Sequence, residues 1–378
     1  MKVIQTNKAY WPLIGGVETI VTGLAEGLRA HQGVEVSVLA CNHVRSLRCT
    51  VKEIRGVSVT YAPMWTTIAS LPISPAYPFL LRRRTGDILH VHEPFPLADL
   101  SLTFWPRIRK NFRRLVVTWH SDIVRQKWAL ASYTPVIHRL LDAADCILVA
   151  SENNIGISKF LPLYREKCRV IPFGLNLAWR NHREDRRAKV EGIRATLGTP
   201  LILFVGRLVY YKGLRYLLEA LSILPEGQLV IIGSGPLLPE LLKHAETLGI
   251  QKRVTFMPHL PDEELYAHYE ACDIFVLPST EVSEAFGLVQ IEAMACGKPV
   301  VSTDLGTGVN FVNRTGETGL TVAPRDARAL ADAIKRLIHD VPLRSRLGQN
   351  AQKRVHREFS ASRMIERTVD LYQTLLSR

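Results

Sequence analysis

Two stretches of this chain read alike. An apolar strand, a glycine turn and an amphipathic helix begin at Lys2 and begin again at Leu201. Parallel strands can be joined only by long crossovers, so short apolar runs that alternate with helical stretches restrict a chain to parallel sheets covered on both faces. In the first half Lys2–Thr6 leads through Gly15-Gly16 into a helix from about Val17 to Ala30, with Ile20, Leu24 and Leu28 on one face. Strands follow at Glu35–Ala40, Ile88–His92, Leu115–Trp119, Cys146–Ala150 and Arg169–Ile171. The second half restarts with Leu201–Val205, a turn through Gly206 and Gly213 and a helix over about Leu214–Leu224. Its further strands are Leu229–Ile232, Val254–Met257, Ile274–Leu277 and Val300–Ser302.

The expected fold class is therefore α/β, with two Rossmann-like doubly wound parallel-sheet domains at 1–172 and 200–360. The segment 173–199, rich in Arg, Asp and Asn and poor in periodicity, is read as the linker. A last helix, about 361–378, is expected to cross back to the first domain. Ligands of open α/β sheets bind beyond the carboxyl ends of the strands, which puts the expected site in a cleft between two such domains.

The 378 residues carry a formal net charge of +13, with 47% hydrophobic and 22% charged residues, the composition of a folded protein that meets an anionic partner. The basic residues crowd into Arg82-Arg83-Arg84 and the run Arg107–Arg114, with Phe104, Trp105 and Phe112 interleaved. A solvated face and contact with an anionic membrane surface both fit these runs. From Tyr61 to Leu81 there is no charge, but Pro63, Pro72, Pro75 and Pro78 exclude a membrane-spanning helix. The stretch is read instead as an apolar loop able to dip into a headgroup layer. Six cysteines show no metal-like spacing, and several sit in apolar runs and read as small core residues, as in a reducing cytoplasm. The N-terminus reads as a buried strand and not as a signal peptide. The expected location is cytoplasmic, with peripheral attachment to the inner face of the cytoplasmic membrane.

The segment Ser283–Gly297 holds two carboxylates, Glu284 and Glu292, eight residues apart around a helix start. Helical rise separates them by roughly 12 Å. That is too far for two carboxylates flanking one glycosidic bond, which sit about 5 to 9.5 Å apart in hydrolases. Between them Phe286, Gly287, Leu288 and Val289 open a helix whose unpaired N–H groups suit a diphosphate. One carboxylate would then meet a sugar and the other a ribose.

Arg207 and Lys212 lie five residues apart between Gly206 and Gly213, on the loop after a strand. A planar fork and a point charge suit a pyrophosphate leaving group; surface salt bridges are the plainer reading. Gly15-Gly16 lets backbone approach a ligand or merely makes a turn, and it lacks the spacing of a dinucleotide fingerprint. His120 ends an apolar strand, where it could hydrogen-bond a sugar or phosphate or be structural; Ser121-Asp122 beside it could cap the next helix. His90 and His92 share one strand face without a third metal ligand, so no metal is expected. His92 with Glu93 is read as part of an acceptor wall. Gly233, after the strand Leu229–Ile232, could approach a base or ribose or serve only as a loop.

Together these motifs resemble the retaining glycosyltransferases of family 4, which share the GT-B fold. The resemblance runs through Gly15-Gly16-Val17-Glu18, His120, Ile171-Pro172-Phe173-Gly174, Gly206-Arg207, Lys212-Gly213, Gly233-Ser234-Gly235 and Glu284 with Glu292. It implies that Arg207 and Lys212 bind the donor diphosphate, Glu284 the transferred sugar's hydroxyls and Glu292 the ribose. Amides near Phe286, Gly287 and Leu288 would complete the cradle, with Gly16 and His120 facing it from the acceptor domain. The implied partners are a nucleotide sugar and a lipid-linked saccharide or polysaccharide acceptor, with no cofactor, no metal and no nucleic acid. The stretch from His120 to Lys127 is similar to bacterial mannosyltransferases of surface polysaccharide or lipopolysaccharide assembly, which suggests GDP-mannose and leaves UDP-sugars open. A nucleotide-sugar epimerase or phosphorylase on the same fold, and a protein binding nucleic acid or another anionic surface, are the competing readings.

Overall fold

The computed structural model describes residues 1–378 apart from 14, 69–70, 123–126 and 180–183. The chain divides into two compact units, Met1–Asn176 with Ala361–Arg378, and Leu177–Ser360.

The sheet of the first unit runs, edge to edge, Cys168–Val170, Cys146–Val149, Phe112–Trp119, Gly86–Glu93, Lys2–Asn7, Glu35–Cys41, Val57–Ala62 and Thr50–Ile54. Every neighbouring pair is parallel except the last. Strand order reverses at Lys2–Asn7, where Val3 pairs with Val36 on one side and Ile88 on the other. Leu115, Val116 and Val117 are all buried, as a strand covered on both faces requires. Helix Gly16–Ala30 buries Ile20, Val21, Leu24 and Leu28 at helical spacing and packs against the terminal helix Ala361–Ser377. That last helix is stitched to the same unit, because Arg114 Nε donates to the Leu375 carbonyl at 2.7 Å.

The second unit has six parallel strands in the order Val254–Met257, Gln228–Ile232, Leu201–Val205, Ile274–Leu277, Val300–Thr303, Gly319–Val322. The order reverses between Leu201–Val205 and Ile274–Leu277, the kind of switch point at which open α/β sheets bind ligands. Helix Leu214–Ile223 buries Leu214, Leu217, Leu218 and Leu221. Truncating one of these leucines to alanine would cost about 2–5 kcal/mol.

Two sequence expectations change. The uncharged stretch from Tyr61 to Leu81 is not one apolar loop: strand Val57–Ala62 runs into it, and a hairpin of Thr66–Ile68 with Leu71–Ile73 and a helix Tyr77–Arg82 follow. It lacks charge because much of it is core, with Ser74, Tyr77 and Leu81 buried and Tyr77 edge-on to Phe95 at 5.1 Å. The stretch 173–199 is not a bare connector either. Phe173 and Leu175 are buried in the first unit, while helix Arg187–Leu197 belongs to the second. Arg186, 1% exposed, pairs with Glu270 at 2.7 Å and Glu263 at 3.3 Å and lies over the stacked rings of Trp179 and Tyr266. Five of the six cysteines are buried, as small core residues, and Cys49 is exposed.

Candidate active site

In the second unit the switch point brings together two motifs that lie far apart in sequence. The loop Gly206–Gly213 lies against the loop that follows Leu277: the Tyr211 carbonyl accepts the Thr280 amide at 2.7 Å. Gly213 has φ +66°, and a Cβ there would meet the Pro278 carbonyl oxygen at 1.9 Å, so only glycine lets the loops close this far. The result is an ion pair, Lys212 Nζ to Glu284 Oε2 at 2.5 Å, with each side chain 10% exposed. Ser279 Oγ donates to the same carboxylate oxygen at 2.9 Å, and Thr307 Oγ1 donates to the Glu284 carbonyl at 2.9 Å. Glu284 is thus fixed in both side chain and backbone. An ammonium carries three donors, and those of Lys212 not used by Glu284 remain for an anion. Arg207 is exposed and makes no ion pair among the described residues.

Helix Leu288–Ala295 starts immediately beyond. Its N-cap is Gly287, and no side chain caps it. The amides of Gly287, Leu288 and Val289 therefore lie at the open, positive end of the helix. Phe286 is buried, its ring near Phe311 and Phe359, which anchors the turn from behind. One helical turn past these amides, Glu292 Oε2 accepts the Tyr269 hydroxyl at 2.6 Å. Burial pushes the Glu292 carboxyl up to about 7, and the Tyr269 hydrogen bond only partly offsets this. Gly233 has a packing reason of its own: a Cβ would sit 2.0 Å from the Gly206 carbonyl oxygen, so it lets the loops after two adjacent strands touch.

In the first unit Gly15 is the N-cap of helix Gly16–Ala30, also without a side-chain cap. His120 follows the end of strand Phe112–Trp119 and is 5% exposed. Its ring lies between His92, with centroids 5.4 Å apart, and Phe173, at 5.0 Å, and its Nε2 is 3.1 Å from His92 Nδ1. His90 stacks on the far side of His92 at 4.3 Å, with both of its nitrogens engaged, by Thr118 Oγ1 and by the Tyr372 hydroxyl, each at 2.6 Å. Burial, helped by the charge of Lys8, lowers His120 to about 3, and burial lowers His90 to about 3 and His92 well below its ordinary value. All three rings are neutral at physiological pH.

The acceptor-wall reading of His92 and Glu93 fails on burial, since they are 0% and 2% exposed. They end a central strand, and the turn that follows closes over the carboxylate: Glu93 Oε2 accepts the Phe95 amide at 2.9 Å. Burial raises both Glu93 and nearby Asp99, which accepts the Tyr133 hydroxyl. Asp122 serves as a clasp, accepting from the Trp119 indole at 2.8 Å, Ser158 Oγ at 2.7 Å and the Lys159 amide at 2.8 Å. Residues 123–126, in the stretch that carries the mannosyltransferase likeness, lie outside the described residues. No group of three His, Cys, Asp or Glu side chains arranged for a metal occurs among the described residues. Ser279, Tyr269 and Thr307 had no motif to announce them; their proximity to the two glutamates emerges only from the fold.

Residues 14–179 match the family Glycosyltransferase Family 4, and residues 185–354 match Glycosyl transferases group 1. An O-antigen chain mannosyltransferase C of Escherichia coli is 36% identical over 100% of this chain and 99% of its own length. A D-rhamnosyltransferase of Pseudomonas aeruginosa is 34% identical over 96% of this chain and 93% of its own. Among solved structures, sucrose-phosphate synthase of Thermosynechococcus elongatus superposes with a TM-score of 0.77 at 25% identity, covering 100% of this chain and 99% of that one. With a switch-point Lys-Glu pair beside an open helix end in its second unit, and family matches across both halves, the chain belongs to the family 4 and group 1 glycosyltransferases of GT-B fold.

Proposed function

We propose that this glycosyltransferase moves mannose from GDP-mannose, with retention of configuration, to a lipid-linked saccharide or polysaccharide in cell-surface glycan assembly. The Lys212–Glu284 pair beside the open end of helix Leu288–Ala295 carries the reading, because it sets a cation and free amides for a diphosphate next to a carboxylate held for sugar hydroxyls. The likeness to an O-antigen chain mannosyltransferase supports the choice of sugar and the class of acceptor. Lys212, Arg207 and the helix amides stabilise the charge that grows on the departing phosphate, and no divalent metal is required for this. Glu284 orients the sugar and Glu292 accepts from the ribose. His120, as a neutral ring, hydrogen-bonds at the reacting centre, and the leaving phosphate takes the acceptor's proton in a same-face displacement.

The competing donors are a nucleotide-linked D-rhamnose, favoured by the second relative, and UDP-sugars. Thermal-shift titration with GDP-mannose, GDP-fucose, UDP-glucose and UDP-N-acetylglucosamine separates them. GDP-mannose is expected to raise the melting temperature most, and a larger shift with a UDP-sugar would overturn the donor assignment.

A lipid-linked acceptor also calls for contact with an anionic leaflet, and one face of the first unit suits it. Phe79, Phe104 and Trp105 are 60%, 64% and 42% exposed, on elements that pack together. Exposed Arg82, Arg83, Arg107 and Lys110 lie on those elements or directly after them. Aromatic rings with adjacent cations fit the interfacial zone of anionic lipid. No helix among the described residues is long and apolar enough to cross a membrane. Flotation with anionic but not neutral liposomes is expected, and absence of flotation at low salt would contradict it.

A further inference from the structure

The His92 ring, buried behind His120, has a role that its strand position alone would not give. Its Nδ1 lies 3.1 Å from His120 Nε2, and its other nitrogen, Nε2, is buried with no partner among the described residues. One of the two facing nitrogens must carry the hydrogen. If it were His120 Nε2, then His92 would carry its own proton on Nε2 and bury an unpaired N–H. If it is His92 Nδ1, the buried orphan is only a lone pair, and unpaired buried acceptors are better tolerated than unpaired buried donors. The ring cannot swing to exchange roles. It is stacked on His90, itself fixed at both nitrogens by Thr118 and Tyr372, and His120 is backed by Phe173.

We propose that His92 is a positioning residue, whose Nδ1–H donates to His120 Nε2 and so fixes His120 as the neutral Nδ1–H tautomer, aimed as a hydrogen-bond donor. His120 Nδ1 has no protein partner among the described residues, and it is not a buried orphan either, so its proton is the one the ring can offer to a substrate oxygen. The proposal rests on the reading of His120 as a group that serves the reaction.

The test combines spectroscopy with kinetics on the full chain. Imidazole ¹⁵N spectra of the wild type, with the His120 signals identified by their loss in His120→Gln, are expected to show the Nδ1–H tautomer alone. His92→Phe keeps a ring but removes the donor, and turnover with nucleotide sugar is expected to fall about tenfold with little change in donor KM, the loss of one oriented hydrogen bond. His92→Asn, which can put an amide donor near the position of Nδ1, should recover most of that loss. A structural role alone would leave the two variants equally impaired.

The tautomer is read on the wild type itself, and His120→Gln serves only to assign the signals. An Nε2–H tautomer or a mixture there would overturn the proposal even if His120→Ala is inactive. Wild-type turnover in His120→Ala would instead overturn the reading of His120 itself, and this proposal with it.

Discussion

The second unit gathers charge at its strand ends, and the first gathers neutral rings. At the switch point of the second, Lys212 and Glu284 face each other with each side chain 10% exposed, and an open helix end lies beside them. In the first, His90, His92 and His120 stack in a place dry enough to keep all of them uncharged. A leaving diphosphate needs opposing charge, whereas a hydroxyl that must react needs orientation without a competing ion. Two sheets built on the same parallel α/β plan therefore support opposite electrostatic environments, and the side chains placed just after the strands decide which one results.

The largest effect should come from the charged side. Glu284→Gln keeps the shape, removes the charge and is expected to lower turnover about a thousandfold, the scale of losing a key polar contact at the reacting centre. The alanine variant is a poorer probe than sequence alone suggests: it also removes the oxygen that accepts from Lys212 and Ser279, and breaking a buried pair costs about 3–5 kcal/mol. A melting curve taken with each assay separates the two losses. Lys212→Ala should weaken nucleotide-sugar binding strongly in calorimetry. Arg207→Ala, at an exposed position, should cost about tenfold, as for one charge-assisted hydrogen bond. Equal losses at the two positions would mean that the buried pair is structural only.

Smaller effects should appear with pH, and with opposite sign in the two units. Burial raises Glu292 to about 7 from an ordinary 4.5, so its contribution to stability is fully present below about 4.5 and fades as pH rises through about 7. His90 and His120 are lowered from 6.5 to about 3 and His92 well below 6.5, so their contribution is present above about 6.5 and is lost as pH falls, through about 3 for His90 and His120. Glu292→Gln should flatten the alkaline slope of the melting temperature, and His90→Gln should change only the acid side. In the ribose-binding role proposed for Glu292, its ionised form would accept from both hydroxyls, so nucleotide affinity should rise a few-fold from about pH 6 to 8 and lose that dependence in Glu292→Gln.

Much of this was legible in the chain because glycines and apolar runs act locally. The strands Leu201–Val205, Val254–Met257 and Ile274–Leu277 lie where their apolar runs put them, and the fold class follows from their alternation with helices. Edge strands were harder. Thr50–Ile54, with Lys52 and Glu53 facing outward, has no apolar signature because an edge needs polarity, and Gly319–Val322 at the other sheet's edge is short. The pairing of Lys212 with Glu284 depends on strand order, and nothing local in sequence encodes that two loops 72 positions apart will touch. The burial of His92 and Glu93 was missed for a related reason: a strand's alternation shows which face a residue shares, but not that another turn will cover its end. The basis for the donor sugar lies largely in the stretch that includes residues 123–126, and there the likeness to relatives carries the reading alone.

In the proposed function the second unit's charged cluster drives sugar transfer from GDP-mannose. The most direct measurement follows radiolabelled mannose from GDP-mannose into a polyisoprenyl-linked saccharide extract, with the wild type beside Glu284→Gln. The expected result is labelled product in which the anomeric configuration of the donor is retained, with wild-type nucleotide binding but almost no product in Glu284→Gln. Free sugar phosphate or an epimerised nucleotide sugar in place of labelled saccharide, or near-normal transfer by Glu284→Gln, would contradict it.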